Sequence, residues 1–147
     1  MTKKTDFSDD EWKQVLEGPP SAGLVVITAA RGGMLRETWA MSKAYAEARR
    51  SHGASELLDE IVAAKPAIDH TRYHTPDEVR DHCLQHIRQA VSVLETKATA
   101  EELEAYRRFV VAVADKVAAA HREGADSVSP PETQALGQIK TALGATA

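Results

Sequence analysis

A single cysteine in 147 residues excludes an internal disulfide, which makes a reducing compartment, the cytoplasm, the expected setting. Aromatic residues are scarce, at 5% of the chain. Alanine, valine and leucine must therefore fill the core, and these suit closely spaced helices better than a sheet. The alternation of Val, Ile, Thr or aromatic residues with polar ones that marks a strand is nearly missing. So is any long apolar run: "AGLVVITAA", Ala22 to Ala30, is about half the ~18 residues that a membrane span needs. The opening "MTKKTDFSDD" carries no apolar stretch of the secretory kind, so no signal peptide is expected. An excess of positive charge is absent too. With a net charge of -4 and both signs interspersed, neither nucleic acid nor an anionic membrane is an expected partner.

What the chain does have is helix punctuation. Apolar residues make up 43% of its length, enough for a core in one domain spanning 1–147, with residues 1–6 and 145–147 expected to fray. In "FSDDEW" Ser8 is placed to cap a helix with Glu11 as its capping-box partner, and Phe7 and Trp12 occupy the hydrophobic-staple positions. "EGPP" predicts an early end to that helix, with Gly18 as the left-handed stop. A second helix is then expected over Pro20 to Ala30, apolar all round and enclosed by others. "RGG" at Arg31 to Gly33 breaks the chain, and a third helix runs from Met34 to Arg50. A fourth opens at Ser55 and is stopped by Pro66, and residues 67–75 read as irregular.

Thr75 with Pro76 opens a fifth helix to about Lys97. Thr99 and Glu102 form another capping box, starting a sixth helix to about Glu123, in which Leu103, Tyr106, Val110, Val113 and Val117 share one face. Ser129, Pro130 and Glu132 open the last. The expected fold is therefore all-α: a compact bundle of about seven helices with antiparallel neighbours and a long hairpin of the fifth and sixth as its backbone.

The stretch "HTRYHTPDEVRDHCLQH", residues 70–86, holds four of the six histidines and the cysteine. On a helical wheel Val79, Ile87, Ala90 and Leu94 fall within about 40° of Cys83, His86 lies inside that apolar arc and His82 on its rim. Glu78, His82 and His86 are successive i,i+4 neighbours. Such a stripe, completed by His70 or His74 from the preceding loop, offers ligands for zinc or another divalent ion. Only two imidazoles are fixed by spacing, so the plainer reading is a core-edge His86 with solvated His70, His74 and His82, and no cofactor. A half-buried His86 also suits a pH response. Cys83, central in the arc, reads as a small hydrophobe whose thiolate is disfavoured. In "ARGGMLRE" the residues Arg31, Gly32, Gly33 and Arg36 are candidates for holding an anion, although the string lacks the context of a nucleotide loop. Trp12 and Trp39 are expected in the core or at a subunit contact.

Two strings, "AARGGMLRE" and "VSPPETQAL", together with the helix order, resemble the TerB-like fold named for tellurite-resistance proteins. That resemblance implies an all-helical bacterial domain in a stress-associated setting. Some members bind metal through acidic residues at the first helix break. This chain departs there, with Arg31 where an aspartate is expected and Glu37 the nearest acid. With no converging catalytic set, the expected role is a non-enzymatic cytoplasmic module that binds a protein partner or itself as a homodimer. The alternative is a metal- or pH-responsive binding protein using the histidines of 70–86.

Overall fold

The computed structural model describes residues 3–30, 34–50, 56–64, 75–122 and 130–144. These form a short 3-10 turn at Lys4–Asp6 and six α-helices: α1 (Asp9–Ala30), α2 (Met34–Arg50), α3 (Glu56–Ala63), α4 (Pro76–Lys97), α5 (Ala100–Arg122) and α6 (Pro130–Ala142). Among the described residues there is no strand.

The helix starts lie where short-range chemistry puts them. The Ser8 N–H donates to Glu11 Oε1 at 2.8 Å, and the Glu11 N–H donates back to Ser8 Oγ at 3.2 Å. The same reciprocal pair forms at Thr99 and Glu102, at 2.9 and 3.1 Å. Thr75 Oγ1 accepts from the Glu78 N–H at 3.1 Å, with Pro76 in the first turn. Each such cap satisfies backbone donors that the helix itself leaves unbonded, a contribution of about 1 kcal/mol. The Phe7 and Trp12 rings pack at 5.6 Å between centroids.

Seven helices become six because α1 does not stop at Gly18. It runs unbroken through Pro19 and Pro20, and every residue from Gly18 to Ile27 is buried. Pro19 has no N–H to give to the Val15 carbonyl one turn back. The hydroxyl of Tyr106, from α5, takes that place and donates to Val15 O at 2.7 Å. Gly18 makes room for it, since a Cβ there would collide with Tyr106 Oη and lie 3.1 Å from Cζ. A helix break written locally is thus repaired by a side chain that arrives from 91 residues away.

α1 is the axis of the bundle. α4 lies antiparallel along it, with Lys97 meeting Glu11, Ala90 facing Gly18, and His86 beside Ser21. The Lys97 ammonium donates to Glu11 Oε1 at 2.7 Å and to Asp6 O at 2.9 Å, and that bond holds the Glu11 carboxyl below its usual range. α5 flanks α1 on another side and runs parallel to it, through Tyr106 on Val15 and Val113 beside Gly23. α2 then packs on α5 through Tyr45 against Phe109, edge to face at 5.0 Å, and through the Glu47–Lys116 ion pair.

The hairpin of α4 and α5 expected as the backbone of the bundle is a second correction. α4 and α5 follow one another across Ala98 and Thr99, but each packs mainly on another helix, α4 on α1 and α5 on α2 and α1. The apolar stripe of α4 (Cys83, Ile87, Ala90, Leu94) is buried, and it is mainly α1 that covers it.

Candidate functional site

α4 projects its histidine stripe unevenly. Glu78 and His82 are exposed, whereas His86 is half-buried and turns toward α1. The three i,i+4 neighbours therefore diverge in environment and do not close on one point. Among the described residues no group of three His, Cys, Asp or Glu side chains is placed to hold a metal ion. His70 and His74, the other proposed ligands, lie outside the described residues. So do Arg31, Gly32 and Gly33 of the anion candidate, and the side chains of Arg36 and Trp39 are likewise not described.

The polar chemistry of the bundle gathers instead where α1 meets α4. Glu17 and Ser21, one turn apart on α1, face His86 and Cys83 on α4. His86 Nδ1 lies 3.5 Å from Ser21 Oγ and 3.9 Å from Glu17 Oε2. Ser21 also lies near enough to the Cys83 thiol for its hydroxyl to favour the thiolate. Cys83 and Ser21 are buried, at 2% and 7% exposure, while the His86 and Glu17 side chains keep 21% and 28%. The outcome is a wedge of four polar groups, closed at its thiol end and open to solvent at its carboxylate end.

What this wedge can do is limited by which atoms face each other. A serine, imidazole and acid act in relay only when the two ring nitrogens bond different partners, one the hydroxyl and the other the carboxylate. Here a single nitrogen, Nδ1, faces both. The Ser21 side is also the buried side of the wedge, away from its solvent-open carboxylate end. Burial pushes the Cys83 thiol up to about 11, opposed by its Ser21 hydrogen bond and reinforced by the negative charge of Glu17. A thiol so held is a packing group, as its place in the apolar arc implies.

That shift carries a prediction. Native protein at pH 9 is expected to react with iodoacetamide about 50-fold more slowly than the urea-unfolded chain, since only about one in a hundred native thiols is ionised against about half of the unfolded ones. Rapid native alkylation would show an accessible thiolate. Because the folded state holds the proton more tightly than the unfolded one, stability is present below pH 9 and declines as pH rises toward 11.

Glu17 and Ser21 are the members of this wedge that sequence reasoning misses. Reading "EGPP" as a helix end assigns Glu17 and Ser21 to two different helices and hides their i,i+4 relation. A wheel drawn straight through Pro19 and Pro20 would have put them on one stripe. No helix among the described residues is long and apolar enough to cross a membrane. Comparison with family models, with curated proteins and with solved structures finds no match for this chain.

Proposed function

We propose that this chain is a non-enzymatic helical module that works by binding a protein partner or a second copy of itself, in the stress-associated scaffolding setting that a TerB-like resemblance implies. The observation that carries the reading is the use made of its reactive groups. Cys83 is enclosed with its thiol protonated, Ser21 is bonded inside the wedge, and Tyr106 is occupied in completing α1. These side chains serve packing and helix continuity. The net charge of -4 supports a protein surface over a polyanion as the partner. Two-fold self-association is the default for a domain of this kind. Light scattering of the purified chain, with chemical cross-linking in native lysate, is expected to show a dimer or a stoichiometric hetero-complex. A monomer that captures nothing, or a small molecule turned over by the purified chain, overturns the proposal.

A second reading has one observation in its favour, the approach of the His86 imidazole to the Glu17 carboxylate. It makes the chain a pH-responsive binder through His86.

A further inference from the structure

We propose that His86 is a protonation-controlled clamp between α1 and α4, exchanging Ser21 for Glu17 as its hydrogen-bond partner when the imidazole takes up a proton. The inference rests on the second reading and is independent of any oligomeric state. Its basis is the double approach to one ring atom: Ser21 Oγ at 3.5 Å and Glu17 Oε2 at 3.9 Å, both from the same stripe of α1.

A neutral imidazole can accept at Nδ1, and there the Ser21 hydroxyl is the available donor. A charged imidazole carries a proton on both nitrogens, so Nδ1 can only donate. The carboxylate of Glu17 is the better acceptor for a charged donor. A small rotation of either side chain shortens that approach to hydrogen-bond length. Ser21, released as donor, still has the Cys83 side chain within reach. It also sits one turn after the Glu17 carbonyl, an acceptor that helical serines commonly use.

Partial burial sets the strength. At 21% and 28% exposure the pair is wet enough to exchange protons and enclosed enough for its charges to be felt. Among the groups that face His86 are Glu17 and Ser21 from α1 and Cys83 on its own helix, with His82 one turn back on the exposed side. α5 presents its charge to α4 at the far end, where Arg107 meets Glu95, and α6 has the exposed Lys140. Cys83 stays protonated throughout the range in which an imidazole titrates.

The test is a double-mutant cycle on the full chain, Glu17→Gln, His86→Gln and both together, unfolded by urea at pH 5.5 and at pH 8. The coupling between the two sites is expected to be about two- to fivefold in the unfolding equilibrium constant at pH 5.5 and to vanish at pH 8. Ser21→Ala should cost more at pH 8 than at pH 5.5, because it removes the partner of the neutral ring. Equal coupling at the two pH values, or none at pH 5.5, overturns the clamp. If a variant fails to fold, the wild-type His86 ring proton followed by NMR against Glu17→Asp keeps the question open to an answer. A titration midpoint that does not move to lower pH when the carboxylate is drawn back refutes the proposal.

Discussion

Replacing Gly18 by alanine is expected to destabilise the protein by about 3 kcal/mol, in a position where an ordinary helix would gain from the change. Alanine improves helix propensity by about 1 kcal/mol. Against that stand about 1–3 kcal/mol for forcing a methyl into a filled core and about 1–3 kcal/mol for leaving a buried carbonyl unbonded. The methyl would occupy the space of Tyr106 Oη, the atom that bonds the Val15 carbonyl left vacant by Pro19. Tyr106→Phe alone should cost about 1–3 kcal/mol for the same orphaned carbonyl. The informative experiment is the pair. Without the hydroxyl, the nearest ring atom is 3.1 Å from the new Cβ, a tight contact that a few tenths of an ångström of ring movement relieves, so Gly18→Ala should add much less to Tyr106→Phe than it costs alone. Urea melts of the two single variants and the double one are expected to be strongly non-additive with unchanged slope. Simple additivity would mean that Gly18 does not serve Tyr106.

Leu94→Ala is the second large effect, with an expected loss of about 2–5 kcal/mol. Leu94 is fully buried on the α4 stripe that also carries Cys83, Ile87 and Ala90. The loss combines removed apolar contact with the cavity left behind, because the long α1–α4 seam can collapse only partly around one missing side chain. For a chain of this length it corresponds to a thermal midpoint lower by roughly 10 °C. Gln85→Ala, on the exposed side of the same helix, is expected to stay within about 0.5 kcal/mol. Calorimetry of the two variants separates them. Similar losses would place the weight of α4 outside its apolar stripe.

The histidine helix shows how far a sequence can be read. The wheel centred on Cys83 put Ile87, Ala90 and Leu94 inside and His86 at the core edge, and each is found there, while Val79 of the same arc is half-buried and His82, placed on its rim, is exposed. The wheel succeeds because burial on one helix repeats every three or four residues, whatever helix covers it. It was silent on what faces His86. Glu17 and Ser21 are 69 and 65 residues away in the chain, and the proline pair between them concealed their common stripe.

Capping boxes, the staple of Phe7 on Trp12, the ends of α4 and α5 and the apolar faces were determined by the sequence alone. Each is a contact between residues three to five apart, closed before any distant element arrives. The tertiary structure decided three other things: that α1 continues through Gly18, Pro19 and Pro20, that α4 lies on α1 while α5 turns to α2, and that an imidazole meets a hydroxyl and a carboxylate in the seam. A proline costs a helix a hydrogen bond, and whether that cost stands depends on a donor brought in by folding. In this chain the donor is Tyr106.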